Sequence, residues 1–227
     1  MRDTGQPLSR VVLGTATRHR QTAEHCLQVF GGDSGERQVE RGFDEFDQRK
    51  PWTFGHGWLK LTSFAPQLYD LQGTTSFLDL DIVILDSLDP FFDQAGEFIV
   101  IKEWDKKDGT GNTSCYRYTI GAHADALEHL KNNYPASIGD VRNEQEFITH
   151  YLSRQGKLSY WPDSWCRSFK RHCLQPGLMG WFKPPQIPEG ARIIAFHGKP
   201  NPPDAIAGES GKWYRKVLPT QWVADHW

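Results

Sequence analysis

No apolar run of the roughly 18 residues that a membrane-crossing helix needs occurs anywhere in this 227-residue chain. The first residues, Met1-Arg2-Asp3-Thr4-Gly5, lack the apolar core of a secretion signal. Cysteine is scarce: Cys26, Cys115, Cys166 and Cys173 show no Cys-x-x-Cys spacing, which excludes a zinc ribbon and a dithiol redox centre. Together these absences lead us to expect free thiols in a reducing, cytoplasmic setting, with a Cys166–Cys173 disulfide as the open alternative. A basic excess is missing too. Lys and Arg total 26 against 28 for Asp and Glu, so the net charge of −2 argues against a general nucleic-acid binder. There is no internal repeat and no low-complexity tract.

What the chain has in plenty is aromatic side chains, 13% of residues with nine Trp. Large rings are ordinary core material, and exposed Trp also forms stacking surfaces for sugars. Phe64, Trp104, Trp161 and Trp165 are the candidates for such a cleft. The length suits a single domain with a proper core. Residues 1–56 are the least legible part, with Val11–Ala16 and Cys26–Phe30 as apolar pieces and a loop-like stretch over 31–50. From Gly57 a short helix is expected to about Leu68. Strands are expected over 76–85, 97–101, 114–120 and 192–196, and helices over 122–133 and 143–154. In the second helix Phe147, Ile148, Tyr151 and Leu152 recur with the spacing of a buried stripe. A polar loop is expected over 105–113 and broken helix in the tail. Strands mixed with helices predict an α/β fold with a mixed sheet flanked by helices.

Within the apolar run Ser76–Leu85 stand two carboxylates, Asp79 and Asp81. On a strand, residues two apart share a face, so the pair would present two negative charges side by side. Burying such a pair uncompensated is costly, which predicts a divalent cation against it. The alternative is an ordinary cap or surface pair. After the strand 192–196 comes His197-Gly198-Lys199-Pro200. There an imidazole can ligate metal, Gly198 lets backbone approach a ligand, and Lys199 offers charge to phosphate. Two carboxylates and an imidazole leave positions on Mn²⁺ or Mg²⁺ that substrate phosphate oxygens can fill.

The order Gly57-Trp58-Leu59-Lys60-Leu61, Phe77-Leu78-Asp79-Leu80-Asp81, Asn112-Thr113-Ser114, Glu144-Gln145-Glu146-Phe147 and Phe196-His197-Gly198-Lys199-Pro200 resembles the GT-A fold, Asp-x-Asp nucleotide-sugar glycosyltransferases. Glycogenin and the lipopolysaccharide galactosyltransferases are the nearest group. The resemblance spans about residues 57–205. It implies a Rossmann-like domain and a metal-dependent hexosyltransferase that moves a sugar from a UDP- or GDP-sugar to a glycan or other hydroxyl acceptor. It implies Asp79, Asp81 and His197 as metal ligands, and Lys60, Asn112, Ser114, Gly198 and Lys199 as donor-binding residues. Glu144 and Gln145 then stand where the family has an Asp-Gln pair at the sugar. Glu144 also suits the first turn of its helix, where the macrodipole favours it. Family members open with a strand and helix whose loop holds the base; residues 1–50 match this poorly, so the N-terminal part is divergent or incomplete. Two other readings stay open: a nucleotidyltransferase using the same acidic pair, and a catalytically impaired carbohydrate- or nucleotide-binding domain.

Overall fold

A computed structural model describes residues 10–13, 56–68, 71–133, 136, 141–211 and 215–227. The described residues divide into two compact units, one drawn from 10–78 and 92–160, the other from 79–91 and 161–227. Strands follow in chain order as β1 (Arg10–Leu13), β2 (Thr74–Leu78), β3 (Ile82–Ile84), β4 (Phe98–Lys102), β5 (Gly111–Thr119), β6 (Leu158–Tyr160), β7 (Cys166–Ser168) and β8 (Ile193–Ala195).

The first unit is built on a five-stranded mixed sheet, ordered β1-β2-β5-β4-β6. β1 runs parallel to β2, β5 runs antiparallel to both its neighbours, and β4 is parallel to β6. β4 reads Phe-Ile-Val-Ile-Lys and its first four residues are buried, as expected of an interior strand covered on both faces. A bulge interrupts the β4–β5 ladder: Val100 faces Tyr116 but Ile101 faces Asn112, so residues 113–115 have no partner on β4.

Two helices, Ala124–Asn133 and Glu144–Arg154, and a 3₁₀ helix, His56–Phe64, pack on this sheet. Asn143 caps the second helix by accepting the Glu146 N–H at 3.0 Å. Its Phe147, Ile148 and Leu152 are buried as the stripe predicts. The core is an aromatic stack, with Tyr116 lying 4.8 Å from Phe77 and 5.2 Å from Phe98. Its buried hydroxyls are satisfied: Tyr118 donates to the Ser63 carbonyl at 2.8 Å, and the hydroxyls of Ser63 and Tyr116 pair at 2.9 Å.

The second unit holds a three-stranded sheet, β3-β8-β7, with β8 antiparallel to β3 and parallel to β7. Phe169 stacks on Phe196 at 4.4 Å, in a core shared with Val83, Ile194, Ala205, Val217 and Val223. The helix Pro202–Ala207 is closed at its start by an Asn201/Asp204 capping box and at its end by Gly208 in the left-handed region. The tail helix Gln221–His226 completes the unit, and the short helix Asp89–Asp93 begins in it.

Four expectations are corrected. The strand expected over 76–85 is two strands, β2 and β3, in different sheets, because the chain leaves the first sheet after Leu78 and bends through 79–81. The polar loop ends at Thr110 rather than 113, since β5 already starts at Gly111. The strand expected from 114 therefore begins three residues earlier. Phe64 and Trp161 are buried core rings rather than cleft residues. The expected free thiols are found at Cys166 and Cys173, both buried, and burial pushes the Cys173 thiol up to about 12. The N-terminal piece Val11–Ala16 is a strand only over Arg10–Leu13, its remainder and the Cys26–Phe30 piece lying outside the described residues.

Candidate active site

In the second unit the acidic pair lies in the bend directly after β2, and Asp79 and Asp81 are half-buried. The same-face argument for a strand does not apply to them, because neither is in a strand. Tertiary structure supplies another link. The Phe196 N–H donates to the Asp81 carbonyl at 2.8 Å, one step beyond the Ile82–Ala195 pair. This bond sets the Asp-x-Asp segment beside the segment that carries His197.

His197 is half-buried, and its Nε2 lies 2.7 Å from the Ser168 hydroxyl at the end of β7. Ser168 is buried, and its hydroxyl also accepts the Arg171 N–H at 3.3 Å. The Lys170 ammonium donates to the His197 carbonyl. Gly198 has φ +63°, a conformation that L side chains resist, so glycine here is a backbone requirement. The exposed Lys199 ammonium reaches both Asp204 carboxylate oxygens, at 2.9 and 2.8 Å.

The residues fit a hard divalent ion in kind, with two carboxylates and an imidazole on segments joined by a backbone hydrogen bond. Among the described residues no three His, Cys, Asp or Glu side chains are gathered to ligating distance. Asp79, Asp81 and His197 thus stand on neighbouring segments without their side chains being drawn together.

In the first unit three elements converge on another cluster. From the 3₁₀ helix, the Lys60 ammonium donates to the Thr113 carbonyl at 3.3 Å and to its hydroxyl at 3.4 Å. It lies 3.8 Å from the Glu144 carboxylate and 5.4 Å from the centre of the Phe77 ring. The Thr113 hydroxyl donates to Glu144 at 3.4 Å. Glu144 is the first residue of its helix, as the macrodipole favours, and also a member of this cluster. The two side chains are only 16% and 13% exposed for Lys60 and Glu144, so each screens the other's charge. Gln145, next along the helix, is half-buried, and its carbonyl accepts the Thr149 hydroxyl at 2.6 Å.

Asn112 and Ser114 behave differently. Both are buried; the Asn112 amide donates to Glu103 at 3.0 Å and its oxygen accepts the Ser114 N–H at 3.0 Å. Thr113, interposed between them, is the residue that meets Lys60 and Glu144. Spacing alone gave no sign of this, because residues 113–115 are the bulge. Sequence reasoning also missed Ser168, on a strand too short to recognise, and Glu146. The buried Glu146 carboxylate accepts from the Arg142 side chain (Nε 2.9 Å, guanidinium 2.6 Å), from the Arg142 N–H at 2.8 Å and from Lys106. The hydrogen bonds from Arg142 are the main cause that holds it near pKa 2, against 4.5 for a free side chain.

No protein-family profile matches the chain, and no curated protein matches it by sequence. Solved structures do. The galactosyltransferase LgtC, in complex with donor and acceptor sugar analogs, superposes with TM-score 0.54 at 11% identity over 96% of this chain and 99% of that one. An active-site mutant of LgtC gives 0.51 at 11% identity, covering 86% and 89%. The apo glycosyltransferase GlyE of Streptococcus pneumoniae gives 0.51 at 10% identity, covering 86% and 55%. At such identities the likeness is one of fold, and the fold is the GT-A fold that the motif order led us to expect.

Proposed function

We propose that this protein is a metal-dependent glycosyltransferase that moves a sugar from a nucleoside-diphosphate donor to a hydroxyl acceptor. The observation that carries this reading is the Phe196–Asp81 backbone hydrogen bond, which couples the Asp-x-Asp bend to the His197-Gly198-Lys199 turn. Asp79, Asp81 and His197 would hold a Mn²⁺ or Mg²⁺ ion, which when bound neutralises charge on the departing diphosphate. Lys199 binds a diphosphate oxygen after exchanging its Asp204 partner, and Gly198 keeps the turn tight enough for the backbone to approach. In the first unit Lys60 and Thr113 hold the Glu144 carboxylate, and the family resemblance assigns Glu144 and Gln145 to the sugar and Lys60, Asn112 and Ser114 to the donor. The acceptor hydroxyl attacks the anomeric carbon, the bond to the diphosphate oxygen breaks with its electron pair leaving on the nucleotide, and the hydroxyl proton is released to the diphosphate or to solvent.

The test is thermal unfolding with UDP or GDP, with and without Mn²⁺. A ligand at about 100 times its Kd stabilises the folded state by about 2.7 kcal/mol, and the reading requires that this stabilisation need the metal. Asp81→Asn should abolish it without lowering the melting temperature of the free protein. Stabilisation that ignores both metal and substitution would sink the metal assignment. The paired state of Lys199 favours one second reading, a nucleotide-binding domain without transfer activity. Mn²⁺-dependent binding with no donor hydrolysis, across a panel of nucleotide sugars, would select that reading.

A further inference from the structure

Residues 177–187 of the second unit are built against the ordinary rule of burial. The 3₁₀ helix Gly177–Trp181 buries none of its residues. Leu178 is 77% exposed, Phe182 80%, Trp181 49% and Met179 45%, with Ile187 also exposed. The segment nonetheless has a defined base. Gln186 N–H bonds the carbonyl of the buried Cys173 at 2.9 Å, and Lys183 N–H bonds the Met179 carbonyl at 2.9 Å. A held loop that aims four large apolar side chains at water marks a surface meant to be covered.

Charge indicates by what. From Ser164 to Pro188 the sequence holds no Asp or Glu, while Arg167, Lys170, Arg171 and Lys183 are cationic, in a chain whose net charge is −2. Lys183 follows Phe182 directly and is exposed. The ammonium of the exposed Lys216 lies 5.5 Å over the Trp181 ring. The partner is therefore apolar in depth and anionic at its rim. From Pro176 to Phe182 the only side-chain hydrogen-bonding group is the Trp181 indole, too little to recognise the hydroxyls of a glycan. A second copy of this chain, meeting the patch across a two-fold axis, would set Lys183 and Lys216 against themselves.

We propose that this segment is a peripheral docking tip, inserting Leu178, Met179, Trp181 and Phe182 at the headgroup–acyl boundary of an anionic lipid surface. Lys183 and Lys216 pair with the headgroups, and Trp181 takes the interfacial position that amphipathic rings favour. The proposal stands on this segment alone and is independent of the reading of the transfer site.

The experiment is co-sedimentation of the full chain with vesicles of phosphatidylcholine and of phosphatidylcholine containing phosphatidylglycerol. Binding to the anionic vesicles should be about tenfold tighter or more, and should weaken as salt rises. The double variant Leu178→Ser, Phe182→Ser should lose about tenfold or more of that affinity. It should keep the melting temperature of the parent and its response to UDP and Mn²⁺. Equal binding to both vesicle types overturns the proposal, as does full affinity in the variant. Absence of vesicle binding together with self-association that the variant abolishes also overturns it, and assigns the tip to a protein interface.

Discussion

Lys199 and Glu146 show how one kind of bond serves different ends. Lys199 is exposed and exchangeable, with its partner Asp204 held independently by the Asn201 N–H at 2.8 Å. Lys199→Ala should therefore leave the Pro202–Ala207 helix capped. A charge-assisted hydrogen bond is worth about 1.5–3 kcal/mol, so the substitution should cost roughly ten- to a hundredfold in UDP affinity. Titration calorimetry with Mn²⁺ and then UDP separates the outcomes, and equal losses for both ligands would make Lys199 a structural residue. Glu146 is the reverse case, buried and locked by Arg142 and Lys106. Its folded pKa is depressed, so its contribution to stability is complete above about 4.5 and is lost as pH falls toward 2. Glu146→Gln should lower the melting temperature at neutral pH and flatten its fall across that acid window. An unchanged acid profile would mean that other carboxylates govern it.

At the level of elements, the β5 bulge accounts for both the cluster that formed and the residues that stayed out of it. Regular alternation would put Asn112 and Ser114 on one face and Thr113 on the other; the three residues without a β4 partner leave Thr113 facing the helices. The bulge is flanked by a close approach at Gly111. A Cβ there would stand 2.6 Å from Val100 Cγ1 and 2.7 Å from Thr149 Cγ2, so strand and helix meet over bare backbone. In an ordinary strand Ala outperforms Gly. Here Gly111→Ala should destabilise by about 1–3 kcal/mol through overpacking, measured by urea unfolding. A neutral or stabilising result would show that the helix Glu144–Arg154 can shift away from the sheet.

Over the whole molecule, the acid response should have an earlier phase than the carboxylates supply. His123 is fully buried against the rings of Phe64 and Phe98, and its Nδ1 has no hydrogen-bond partner among the described residues. Burial is the main cause that lowers its pKa below 6.5, and the same holds for His172. A depressed folded pKa means stability present above about 6.5 and lost as pH drops through the folded value. His123→Leu removes a buried imidazole with one weak partner, the Glu97 carbonyl at 3.5 Å. It should be close to neutral at pH 8 and stabilising at about pH 5, read from melting curves at both. Parallel losses in parent and variant would assign the early acid phase to other groups.

The chemistry-bearing residue types and their order along the chain were legible without coordinates: the Asp79-x-Asp81 pair, the His197-Gly198-Lys199 turn, and the helix that starts at Glu144. So was the α/β class, because apolar periodicity and chain punctuation are local properties. The interruption at 79–81 was not legible, since an apolar run reads alike whether one sheet or two receive it. Nor were the Phe196–Asp81 bond, the Ser168–His197 contact and the entry of Thr113 beside Lys60 and Glu144. Each joins residues from 29 to 115 positions apart, and only strand pairing and register, which are set by burial across the whole fold, decide such meetings.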